Sequence, residues 1–156
     1  MNQVEKSPMK KSQIQKIRID VISNDQSALF MLMDREGRIS RQGSGTLPAD
    51  TFAVESSNDG SIFAALINAL DEQVFAHAGI YDHPDKAGLP ITYSLAFLGD
   101  GPDEVAAFEF RLGTETKDVG ELLPYIDQFI SKAVMGTNGW YEAEKGAAEK
   151  KEEGES

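Results

Sequence analysis

Three short stretches of the chain hold residues that could do chemistry. His77, Asp82, His83 and Asp85 fall within nine residues and include both histidines of the protein. Imidazole and carboxylate are proper ligands for zinc, manganese or iron(II), so these four form a candidate metal site. Their spacing is neither His-x-x-x-His on a helix nor His-Glu-x-x-His. The alternative is purely structural: an imidazole at a helix C-terminus is favoured by the dipole, and the two aspartates flank Pro84 in ordinary turn chemistry.

The second stretch holds Arg35, Arg38 and Arg41, three of the five arginines, beside Gly43-Ser44-Gly45. Guanidinium groups grip carboxylate or phosphate through two parallel hydrogen bonds, and glycines let backbone N–H groups approach an anion. Arg35, Arg38, Arg41 and Ser44 are therefore a candidate anion site. Arg38 and Arg41 fall on opposite faces of a regular strand, however, and converge only if it twists or bulges. Charge on an edge strand also protects it from aggregation, which explains the arginines without a ligand. The Gly-Ser-Gly is neither a Walker A loop nor a nucleophile elbow.

The third stretch, Asp100, Asp103 and Glu104 around Gly101, has the composition of a calcium loop without its spacing. A hairpin turn accounts for it. The remaining carboxylates sit mainly at turns, caps and tails, and no order of Ser, His and Asp selects a triad. No catalytic residue and no cofactor is assigned.

The elements that must position these groups read as follows. Ile17, Ile19 and Val21 alternate with Arg18 and Asp20, giving a strand over 16–22 with one buried face. Ser23 to Gln26 is a turn. Ala28 to Met33 is apolar on both faces, as a central, doubly covered strand should be. Asp34 to Gly37 fits a type I turn, followed by a short polar edge strand over 38–42. A short strand over 52–55 is a further option. A helix capped by Asn58 or Asp59 carries Ile62, Phe63, Leu66, Ile67, Leu70 and Val74 at helical spacing and ends near Ala78, before Gly79. Residues 80–88 read as a loop. Strands over 91–98 and 104–112 form a second hairpin. The last helix, with Asp118 and Glu121 at capping-box spacing, starts at Leu123 so that Pro124 takes its first position, and ends at Gly136–Gly139. Trp140 and Tyr141 then fold back onto the core.

The predicted fold is α+β: a two-layer sandwich with a mainly antiparallel sheet of four to five strands and two helices on one face, in ββ(β)-α-ββ-α order. Residues 1–13 read as a disordered basic arm, 14–141 as one domain and 142–156 as a disordered charged tail.

At 156 residues and a net charge of −11, the chain has a surface that repels nucleic-acid phosphate and anionic lipid, so neither nucleic acid nor membrane is an expected partner. It has no cysteine, which excludes disulfides and thiol catalysis. The N-terminal residues lack a secretory h-region, and a cytoplasmic location is expected. The function expected is a non-catalytic protein-interaction or regulatory module that binds a protein partner or self-associates as a homodimer. With two helices over one sheet face, Leu29, Met31 and Met33 on the other need cover and form the expected interaction surface. A ligand- or metal-binding domain using the His77–Asp85 loop or the Arg35–Arg41 cluster is the alternative.

Overall fold

A computed structural model describes residues 10–43, 53–57, 59–85, 87–101, 104–113, 115 and 122–154, with side chains as far as residue 147. Seven strands are described: β1 (Lys16–Ser23), β2 (Gln26–Asp34), β3 (Arg38–Gly43), β4 (Ala53–Ser57), β5 (Gly79–Asp82), β6 (Pro90–Leu98) and β7 (Val105–Gly113). Two α-helices, α1 (Ser61–Ala69) and α2 (Leu122–Gly154), and two 3₁₀ turns, Lys11–Gln13 and Glu72–His77, complete the order. The fold is α+β, as expected.

The sheet is larger than the four to five strands expected, and it is mixed. Its order is β4-β3-β2-β1-β6-β7-β5, antiparallel throughout except where β5 runs parallel to β7. The additional strand, β5, lies in the stretch read as a loop. It is four residues long, too short to show a periodicity of its own, and it exists through pairing with Gly79 opposite Phe108 and Tyr81 opposite Phe110. Tyr81 stacks on Phe110 with ring centroids 4.9 Å apart.

The β1–β2 hairpin turns through Asn24 and Asp25, both at positive φ (51° and 63°). Asn and Asp tolerate that region better than most side chains. A regular hairpin would set Ile19 against Phe30. The register slips by one residue between Val21 and Ile22, so Ile19 instead opposes Met31, and Ile17 opposes Met33. A one-residue slip moves every side chain of a strand to the other face. Leu29, Met31 and Met33 therefore join Ile17, Ile19 and Val21 in the core, each at most 2% exposed. The expected interaction surface is core, and Phe30 and Leu32 lie on the opposite, half-buried face.

The helices cover the inner face. Phe97 of β6 packs edge-on to Phe129 of α2 at 5.5 Å and meets Phe75 of the second 3₁₀ turn at 5.2 Å. Phe63 and Leu66 of α1 complete the same apolar cluster. α1 stops at Ala69, not near Ala78. The Asp71 N–H donates to the Tyr125 hydroxyl at 2.7 Å, and the Asp71 carboxylate accepts from the Gln73 N–H at 3.0 Å, starting the 3₁₀ turn. Leu70 and Val74 stay buried across the break, so the apolar spacing survives although the helix does not. Asp59 accepts from the Ser61 side chain and from the Ser61 N–H, the latter at 3.0 Å, and these bonds, the side-chain one first, hold its carboxyl below the usual value. Asn58, Asp118 and Glu121 lie outside the described residues.

α2 is the largest departure. It has 33 residues, about 50 Å at 1.5 Å per residue, and runs through Gly136 and Gly139 into the stretch expected as a tail. Neither glycine takes the positive φ of a helix stop. Contacts beyond them hold the helix: Thr137 is fully buried, Tyr141 is 1% exposed, and the Trp140 indole N–H donates to Ser56 Oγ at 2.7 Å. Lys10 to Gln13, expected in the arm, pack on the domain through Lys11 N–H to Glu72 and Gln13 Nε2 to Glu104, both 3.0 Å. Residues 1–9 of that arm lie outside the described residues.

Asp34 closes β2. Burial raises its pKa, but hydrogen bonds from the Arg38 N–H (3.0 Å) and Arg38 Nε (2.7 Å), with the Arg38 charge, outweigh burial and hold it below its ordinary value. A lowered folded-state pKa adds stability above the unfolded value that is lost as pH falls through the folded one. Asp34→Asn should therefore lose less stability than wild type between pH 6 and pH 3, read as the shift of the urea midpoint. Equal losses would remove Asp34 from the acid response.

Candidate interaction surface

The structure does not gather the anticipated anion site. Arg35 Nε and Nη2 donate to the Ile14 carbonyl, the former at 3.1 Å, and its guanidinium lies over Phe63. It ties the first 3₁₀ turn, the β2–β3 turn and α1 together. Arg38 points to the outer sheet face and pairs with Asp34 at 2.7 Å. Arg41 points the other way and is 2% exposed: Nε donates to the Gly43 carbonyl at 3.0 Å, and Nη1 to Thr137 Oγ1 at 2.9 Å and the Val134 carbonyl at 3.2 Å. Its guanidinium stacks 4.3 Å from the Tyr141 ring centre. The three arginines thus serve three separate structural tasks. Ser44 lies outside the described residues.

The histidine loop is dispersed as well. His77 closes the 3₁₀ turn, and its carbonyl accepts from the Tyr81 hydroxyl. Asp82 lies 3.9 Å from Arg111 Nη1. The His83 N–H donates to the Arg111 carbonyl at 2.9 Å, and its Nδ1 accepts from the Asp85 N–H at 3.0 Å. Among the described residues no group of three or more His, Asp or Glu side chains is placed to hold a metal ion. At the β6–β7 hairpin, Glu104 spends its carboxylate on the Gly101 N–H (2.7 Å) and on Gln13, as a turn requires; Asp103 is outside the described residues.

Two surfaces remain. The outer sheet face carries Phe30 and Leu32, but most of its charges are matched in place. Arg18 pairs with Asp20 at 3.0 Å, Arg38 with Asp34, and Arg111 with Glu109 at 2.5 Å. Arg18 also covers Phe30, its guanidinium 5.5 Å from the ring centre. Such alternation suits a face turned to water.

The helix layer differs. A groove of about 350 Å³ runs between the helices, lined by Ile62, Ala65, Leu66 and Ala69 of α1 and by Lys132 and Gly136 of α2. That volume falls within the usual range of binding pockets, and an apolar lining with one charged group is their usual composition. The groove exists because alanine and glycine stand where larger residues would interdigitate. A Cβ on Gly136 would lie 4.0 Å from Ile62 Cγ2, with ordinary room. Beside it projects Met135, 73% exposed and the most exposed of the large hydrophobic residues described.

Sequence reading passes over this surface because Gly136–Gly139 read there as a helix stop. Once the helix continues, Lys132, Met135, Gly139 and Glu142 recur at steps of three, four and three, which places them on one face. All four are exposed. No helix among the described residues is long and apolar enough to cross a membrane. No family model matches the chain, and no curated protein matches it.

Proposed function

We propose that the protein is a non-catalytic cytoplasmic interaction module that meets a protein partner through the helix layer, at the α1–α2 groove and Met135. The observation that carries this reading is the juxtaposition of an open apolar groove with a methionine left 73% in water, on a chain of net charge −11. Met is unbranched and polarizable and suits adaptable contact surfaces. The three arginines and Glu104, among the polar groups that first suggested chemistry, are taken up by hydrogen bonds and ion pairs of the fold, which supports binding over catalysis. The acidic balance supports a protein partner over nucleic acid or membrane.

The test is affinity capture from the native host with three baits: wild type, Met135→Asp, and Leu32→Asp as the outer-face control. A partner held by wild type and Leu32→Asp but lost by Met135→Asp is the expected result. A partner lost by Leu32→Asp and kept by Met135→Asp would move the interaction to the sheet and overturn the assignment.

A further inference from the structure

We infer that the partner on this surface is a second copy of the chain, packed α2 against α2 in antiparallel fashion about a two-fold axis. The inference rests on the interaction reading above and adds the identity and register of the partner. Its starting point is the order of residues on the exposed face of α2. A charged residue, a knob, a gap and an opposite charge follow one another as Lys132, Met135, Gly139 and Glu142.

In a two-fold antiparallel pair each position faces one set equally far from the axis on the other side. Place the axis at the level of Thr137. Met135 of one copy then faces Gly139 of the other, and Lys132 faces Glu142. One register satisfies both pairs, and symmetry makes each pair twice. Gly139 can receive a side chain, because a Cβ built on it meets nothing within 4 Å among the described residues of its own chain. Lys132 and Glu142 have no ion-pair partner in their own chain among the described residues, so a second copy would supply one to each. Lys132 of this face also lines the groove at Gly136, so the contact would reach the rim of that apolar lining as well.

The glycines give independent support. Glycine inside a helix costs about 1 kcal/mol relative to alanine. Gly139 is exposed, and among the described residues a Cβ added there would meet nothing, so no packing inside the monomer accounts for the glycine. In the paired state it is the seat of Met135, and it lets two helix backbones approach at the short end of the usual 8–10 Å separation.

Sedimentation equilibrium on the full chain across micromolar concentrations is the test. The expected result is a dimer for wild type and a monomer for Met135→Asp, whose circular dichroism should be unchanged because the position is exposed. Lys132→Glu and Glu142→Lys should each raise the dimer dissociation constant by about tenfold, since each turns two attractive surface pairs into two repulsive ones. The doubly reversed chain should return to the wild-type constant. A wild-type monomer at every concentration overturns the second copy, yet leaves the interaction surface standing if Met135→Asp still loses a captured partner. A dimer that ignores Met135→Asp, or whose charge reversals fail to rescue one another, overturns the register.

Discussion

A Met31→Asp chain is expected to show no cooperative unfolding transition in urea at neutral pH, with its near-ultraviolet circular dichroism signal lost. Met31 is fully buried on the inner face of β2, its sulfur 4.0 Å from Thr137 Oγ1. Removing a buried methionine side chain alone costs about 2–5 kcal/mol. A carboxylate left in the same space loses its hydration as well and adds several more. Against a typical stability of about 5–15 kcal/mol, that sum leaves little or no folded population. Leu32→Asp, one residue along and on the outer face, is expected to fold, with a loss of about 1–2 kcal/mol for a half-buried leucine. Folding by Met31→Asp together with collapse of Leu32→Asp would mean that the hairpin register is the regular one and that the faces are exchanged.

The second large effect is expected at Arg41. Its side chain fills the space between β3 and α2 and donates to Gly43, Val134 and Thr137 while stacking on Tyr141. Arg41→Ala leaves a cavity and strips those acceptors of their donor, an expected loss of about 3–5 kcal/mol. Arg41→Met fills most of the volume without the donors and should lose roughly half as much. Trp140, the single tryptophan, reports the same event: its indole is tied to Ser56 of β4, one residue from Tyr141. A red-shifted native emission in Arg41→Ala, with a lower urea midpoint, is the expected pair of readings. An unfolding free energy within about 0.5 kcal/mol of wild type, the usual spread for featureless surface changes, would make Arg41 a passenger.

These two residues also show where sequence reading reached and where it stopped. Alternation in β1, the Asn24-Asp25 turn and the second hairpin are local features, and they appear where the residues put them. The face of β2 is different. Its residues are apolar on both sides, so alternation cannot choose between Phe30–Leu32 and Leu29–Met31–Met33. The choice was made by a slip between Val21 and Ile22, which no residue type announces. In the sequence Arg41 reads, with its neighbours, as a charged edge. Its burial depends on β4 pairing outside β3 and on α2 crossing above, both of them long-range facts. The helix layer failed for the opposite reason, because local signals there are overruled. Asp71 breaks a helix whose apolar spacing continues to Val74, and Gly136 and Gly139 fail to break one whose later contacts hold it. The candidate surface was hidden by that second error, since Met135 has no outward face until the helix runs past it.

The strand order has a consequence for synthesis. β1 lies at the middle of the sheet, with β2 on one side and β6 on the other. As the chain leaves the ribosome, β1 and β2 can pair at once. β6 is not made until α1 and β5 have been, several seconds later at about 5–20 residues per second. During that interval the strand destined for the centre is an edge, with the N–H and C=O groups that later meet residues 91–98 unpaired and Ile17 and Ile19 beside them. Open edges of that kind are where two nascent chains join wrongly. The lysine and arginine that flank Ile17 keep positive charge on the exposed edge for as long as it waits.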